Sequence, residues 1–119
     1  MSRSVLVVDD DPSFRTLAGR LLTASGLTVI AEADSVSAAI AIATRMEPAA
    51  VLVDVGLPDG DGRDLARRLA DLPWQPRIVL TSVDADVATA DDVQRSGARA
   101  FVHKAALPDA PLGHLLTGD

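Results

Sequence analysis

The chain has 119 residues, 48% of them hydrophobic and 24% charged, with a formal net charge of −6. That length fits one domain at about 100 to 200 residues per domain, and the apolar fraction supports a packed core without staples. The lack of cysteine excludes disulfides, thiolate zinc sites and cysteine nucleophiles, the negative charge argues against direct nucleic-acid binding, and no apolar run approaches the roughly 20 residues that span a bilayer.

Met1-Ser2-Arg3-Ser4 runs straight into a strand-like segment, with no signal-peptide core, so a cytoplasmic location is expected. Val5-Leu6-Val7-Val8 is short and β-branched and stops at Asp9-Asp10-Asp11-Pro12, which predicts a buried strand followed by a loop. Phe14, Leu17, Ala18, Leu21 and Leu22 recur at helical spacing, with Asp11 placed to cap, Pro12 suited to the first turn and Gly26 to the stop. Thr28 to Ala31 reads as a second strand ending at Glu32, which offers nothing obvious to a site. Ser35 caps a second helix carrying Val36, Ala39, Ile40 and Ala43, which Pro48 ends.

The pattern repeats with Ala50-Val51-Leu52-Val53 running into Asp54, a Gly/Pro/Asp loop from Gly56 to Gly62, and a helix carrying Leu65 and Leu69. Ile78-Val79-Leu80 ends in Thr81, a helix falls between Ala85 and Ser96, and Ala100-Phe101-Val102-His103 ends in Lys104. Leu107-Pro108-Asp109-Ala110-Pro111 should break any early helix after that, leaving a short one over Leu112 to Leu116. Near-continuous apolar strands alternating with helices predict one doubly wound α/β domain over 1–119, a five-stranded parallel sheet with helices on both faces.

In such sheets ligands bind beyond the carboxyl ends of the strands, where the strand order reverses. Asp9, Asp10, Asp54, Thr81 and Lys104 all stand at those ends. All but two of the 17 acidic residues are aspartate, the exceptions being Glu32 and Glu47, and Lys104 is the only lysine among 11 basic residues. Three converging carboxylates repel one another, and a divalent cation resolves that. All-oxygen ligands that leave room for water and phosphate suit Mg²⁺. A lysine and a hydroxyl beside them can hold phosphoryl oxygens, so the set suits phosphoryl transfer to a carboxylate nucleophile. Asp9 and Asp10 are adjacent on a loop and suit metal holding. Asp54 stands alone at a central strand end and is the better nucleophile, with a carbonyl such as that of Gly56 able to reach the metal.

Four segments in order carry a resemblance: Val5 to Pro12, Leu52 to Gly62, Val79-Leu80-Thr81-Ser82, and Gly97 to Lys104. Together they resemble the receiver domain of a two-component response regulator, either stand-alone or belonging to a helix-turn-helix-type regulator. The resemblance implies the flavodoxin-like strand order 2-1-3-4-5, with Asp54 as phosphoacceptor and Asp9, Asp10, Asp54 and the Gly56 carbonyl around Mg²⁺. It further implies Thr81 as switch hydroxyl, Lys104 on the phosphoryl group, and Phe101 as an aromatic switch that turns inward when Thr81 moves. A histidine kinase or phosphotransfer protein would donate the phosphoryl group, and a downstream protein or output domain would read the result. A second copy of the chain is a further candidate partner. Such a domain catalyses only its own phosphorylation and dephosphorylation.

Two readings compete. A phosphorylation-independent pseudo-receiver adaptor would suit the departures from the family pattern, Ala105 in place of the proline that commonly follows the lysine, often through a cis bond, and the short tail. A non-proline cis bond costs about 3 kcal/mol, so a different loop geometry is expected there. An aspartyl-nucleophile phosphohydrolase would usually present an acid two residues after the nucleophile, where this chain has Gly56. His103 reads as a partly exposed strand residue, His114 as solvated, Arg67-Arg68 as the outer face of the third helix, and Trp74 as loop packing.

Overall fold

The structure, a computed structural model, describes residues 3–84 and 89–119; Met1, Ser2 and 85–88, where the fourth helix was expected to begin, lie outside the described residues. Strand β1 (Ser4–Val8) leads to α1 (Pro12–Ala24), β2 (Thr28–Ala33), α2 (Val36–Met46) and β3 (Ala50–Asp54). A small antiparallel pair, β4 (Gly56–Leu57) and β5 (Gly60–Asp61), precedes α3 (Gly62–Ala70). Then come β6 (Arg77–Ser82), α4 (Ala90–Arg95), β7 (Ala100–His103), a 3-10 helix (Lys104–Asp109) and α5 (Leu112–Thr117). The parallel sheet has the order β2-β1-β3-β6-β7, which is 2-1-3-4-5 when only its own strands are counted.

Side chains alternate across a strand, and here the alternation separates two cores. Val5, Val7, Ala50, Leu52, Val79 and Val102 pack with Phe14, Ala18 and Leu22 of α1 and Leu112 and Leu116 of α5. Leu6, Val8, Val51, Val53, Ile78 and Leu80 pack on the other face with Ala39 and Ala43 of α2 and Leu65, Ala66 and Leu69 of α3. Each fully buried Val or Leu contributes about 1.5–3 kcal/mol. Helices on both faces explain why the strands read as unbroken apolar runs.

Local chemistry sets the helix starts. The Asp11 carboxylate accepts from the Ser13 N–H at 2.9 Å with Pro12 at the first helical position of α1. Ser35 Oγ accepts from the Ala38 N–H at 3.1 Å, and the Asp61 carboxylate accepts from the Arg63 N–H at 2.8 Å to start α3. Thr89 and Asp92 cap α4 reciprocally. Gly26, with φ +85°, follows α1 in the left-handed conformation that glycine adopts without strain.

Three features differ from the sequence expectation. β2 runs on through Ala33, and its register against β1 slips by one residue, Val5 facing Val29 but Leu6 facing Ala31, so Ile30 bulges. β6 is likewise longer, from Arg77 to Ser82. The segment after Lys104 forms a 3-10 helix containing Pro108, because the fully buried Leu107 pins the turn into the α1/α5 core and such a turn needs few backbone bonds. Every described peptide bond is trans, the one into Ala105 included.

Candidate functional site

The strand alternation carries the site residues to one place. Asp9 continues the series Val5, Val7; Asp54 continues Ala50, Leu52; Thr81 follows Val79; Lys104 follows Val102. All four thus reach the carboxyl rim on the α1/α5 side, and Asp54 lies in register with Thr81 on the neighbouring strand. Ligand oxygens of Asp9, Asp10 and Asp54 fall within 4.8 Å of one another. Asp9 is fully buried, Asp54 nearly so, and Asp10 exposed. The Lys104 Nζ is 2.6 Å from Asp9 Oδ2 and 3.5 Å from Asp54 Oδ2.

The site is electrostatically incomplete. Asp9 Oδ1 accepts from the Asp11 N–H at 2.9 Å, but Asp9 Oδ2 is buried without a hydrogen-bond partner. The Lys104 ammonium, 2.6 Å away, makes an ion pair with that oxygen and is shared with Asp54. Burial first, then the neighbouring Asp9 charge, push the Asp54 carboxyl above its usual range; Lys104 and the Gly56 N–H oppose the shift. Three converging carboxylates faced by one ammonium form an all-oxygen donor set with excess negative charge, which a hard divalent cation fits, so these residues suit Mg²⁺. Gly56 is exposed beside them, its N–H 3.4 Å from Asp54 Oδ1.

Thr81 is fully buried, and its hydroxyl makes one long bond, 3.5 Å, to the Val53 carbonyl. Phe101 is half-buried on β7 and packs against the α2/α3 core, the sheet face opposite to Thr81 by strand alternation. His103 is partly exposed, as expected, with Nε2 2.6 Å from the Val83 carbonyl. His114 and Arg67-Arg68 are exposed, and the Trp74 indole N–H donates to the Pro48 carbonyl at 2.9 Å.

Some supporting residues were not visible as site residues in the sequence. Glu32 is not idle: it accepts from Arg15 Nε at 2.8 Å, while Arg15 Nη1 donates to the Asp9 carbonyl at 2.7 Å. The next residue of β2, Ala33, accepts the Asp9 N–H at 3.0 Å. Asp59 ties the loop after Asp54 to the start of α2, its two oxygens accepting from Val36 N–H at 2.7 Å and Ser37 N–H at 3.1 Å. The Phe14 ring lies under Lys104, Nζ to centroid 4.2 Å. The available hints were a Phe and an Arg one turn into α1 and an Asp in the loop after Asp54; nothing local says what they touch.

A parallel sheet of this order with an acidic, lysine-bearing carboxyl rim places the chain among signalling receivers, and residues 5–112 match the family model described as response regulator receiver domain. The chain belongs to that family. It is 33% identical over 109 residues to protein-glutamate methylesterase/protein-glutamine glutaminase 4 of Myxococcus xanthus, covering 90% of this chain and 31% of that protein. It is 27% identical over 104 residues to the chemotaxis protein CheY of Bacillus subtilis, covering 87% of each. Among solved structures it is similar to a response regulator of Burkholderia pseudomallei with a phosphorylated aspartic acid, calcium ion and citrate, at TM-score 0.83 and 28% identity over 98% of this chain and 68% of that one. The chain spans 31% of the methylesterase and 48 to 56% of several regulatory relatives.

Proposed function

We propose that this chain is a phosphoacceptor of two-component signalling that takes a phosphoryl group on Asp54, with Mg²⁺, from a histidine kinase or phosphotransfer protein. The observation that carries the reading is the clustering of Asp9, Asp10 and Asp54 oxygens within 4.8 Å, with the lone lysine beside Asp9 and Asp54. The phosphorylated aspartic acid named in the Burkholderia structure supports it.

Asp9, Asp10, Asp54 and the Gly56 carbonyl would hold Mg²⁺, which when bound offsets the repulsion among the carboxylates and the charge on the phosphoryl oxygens. An Asp54 oxygen attacks phosphorus, the bond from phosphorus to the donor imidazole nitrogen breaks, and that nitrogen keeps the electron pair and takes a proton. The product is an acyl phosphate on Asp54. Lys104, already within 3.5 Å of Asp54 Oδ2, turns to a phosphoryl oxygen. Thr81 exchanges its long bond to Val53 for a stronger one to the phosphoryl group. Moving that hydroxyl shifts the population of the face that a downstream protein reads. Two residues after Asp54, Gly56 supplies no acid to protonate a leaving group, which favours a switch over a phosphohydrolase.

Intact-protein mass after incubation with acetyl phosphate tests this directly, with Mg²⁺ or EDTA, on the natural chain and on Asp54→Ala. One phosphoryl adduct that needs Mg²⁺ and vanishes in the variant is expected. No adduct under rapid quenching would overturn the reading and leave a phosphorylation-independent adaptor.

A further inference from the structure

The lone lysine of this arginine-rich chain holds its ammonium near Asp9 Oδ2 at 2.6 Å, Asp54 Oδ2 at 3.5 Å, and the ring of Phe14 with its centroid at 4.2 Å. We propose that Phe14 is a positioning residue for Lys104, its ring face holding the ammonium where it must meet the phosphoryl group. The proposal rests on the phosphoacceptor reading and adds a residue to it.

Both carboxylates beside Lys104 are candidate metal ligands, so their oxygens have a competing role. The ring has none. Unlike the two carboxylates, it stays available while charges rearrange around Asp54. An aromatic face attracts a cation within about 6 Å of its centroid, and more strongly where water is excluded. Here the Lys104 side chain is only 13% exposed and Phe14 8%.

The ring is also held in place. Phe14 lies in the first turn of α1, which the Asp11 cap fixes at one end and the Arg15 bond to the Asp9 carbonyl fixes beside the site. Its burial within the α1/α5 core leaves the ring little freedom to withdraw. This also bears on the choice of lysine at position 104: a compact ammonium fits among two carboxylates and a ring face, whereas a planar guanidinium would need a wider space.

The experiment has two arms on the full chain. In the first, lysine labelled with ¹³C at the ε-carbon gives one side-chain NMR signal, because Lys104 is the only lysine. An upfield ring-current displacement that disappears in Phe14→Leu is expected; an identical signal in both would overturn the proposal without reference to phosphorylation. In the second, position 14 carries phenylalanine or its mono-, di- and trifluorinated analogues, nearly the same in shape but with a progressively weaker attraction for cations. The rate of Mg²⁺-dependent adduct formation with acetyl phosphate should fall step by step, by roughly three- to tenfold across the series, while thermal unfolding stays nearly constant. Adducts formed at one rate throughout would overturn this role alone. No adduct in the unsubstituted chain would overturn the phosphoacceptor reading and this role with it.

Discussion

Replacing Gly62 by alanine puts the steric account of the site to a direct test. Gly62 opens α3, where alanine has the better helix propensity by about 1 kcal/mol, so local reasoning predicts a gain. The structure predicts the opposite sign. A Cβ there would run into the carbonyl oxygen of Asp54 and lie 2.8 Å from both the Asp54 carbonyl carbon and the Val55 Cα. Those atoms are backbone and cannot rotate away. The start of α3 must therefore move off β3, stretching the 2.7 Å bond from the Gly62 N–H to the Val55 carbonyl. Overpacking costs about 1–3 kcal/mol and a compromised hydrogen bond about 1 more, so a loss near 3 kcal/mol is expected from a total of about 5–15. For a domain of this size that lowers Tm by about 10 °C. Urea denaturation monitored by circular dichroism measures it, with Gly56→Ala as the control. A Cβ at Gly56 has no described atom within 4 Å, and that variant should stay within about 0.5 kcal/mol of the natural chain. If Gly62→Ala costs less than about 1 kcal/mol, the close approach of α3 to the Asp54 backbone is wrong.

Further outcomes follow from the same geometry. The Asp54 carboxyl is raised above its usual 3.8 by burial and by Asp9. Its contribution to stability is therefore complete below that usual value and is lost as pH rises through the raised one, so Asp54→Asn should be more stable than the natural chain at pH 7 without divalent cations and not at acid pH. Urea midpoints at both pH values check this, and equal differences would refute it. Asp59 is held below its usual range by the Val36 and Ser37 N–H groups, so the stability it confers is present above pH 3.8 and lost as pH falls through the lowered value. Asp59→Ala should accordingly speed amide exchange at Val36 and Ser37 at neutral pH, and unchanged exchange there would remove the tether. Leu107→Ala should cost about 2–5 kcal/mol in chemical denaturation, since the side chain is fully buried and anchors the 3-10 segment; a loss under 1 kcal/mol would show the segment is not anchored there.

How much was legible in the sequence depended on the range of the interaction. Apolar runs and the residue at each strand's carboxyl end are local signals, and they sufficed to place Asp9, Asp10, Asp54, Thr81 and Lys104 on one rim of a parallel sheet. That Asp9, Asp54, Thr81 and Lys104 share a face came from the strand alternation seen in the structure. Asp11 and Ser35 were readable as caps because a cap acts within three residues. Asp59 was not, since its partners Val36 and Ser37 are over 20 residues away. Phe14 fits the helical period of a core residue and is one; that its ring also meets Lys104 follows only from the fold bringing the start of the 3-10 helix beside α1. The 3-10 turn escaped for a related reason: Pro108 speaks locally against a helix, and the burial of Leu107 overrides it.

The slipped register at Ile30 has a bearing on how copies of this protein coexist in concentrated solution. β2 forms one border of the sheet and β7, four residues long, forms the other. Borders of this kind offer unsatisfied amides to any extended chain that drifts past, and long flat ones template fibrils. At β2 the bulge disrupts the even spacing such a template requires, and the exposed Glu32 adds a charge beside it. At β7 the shortness of the strand leaves too few amides to nucleate a ribbon. A chain with largely apolar central strands is thereby less prone to zip edge to edge with its neighbours.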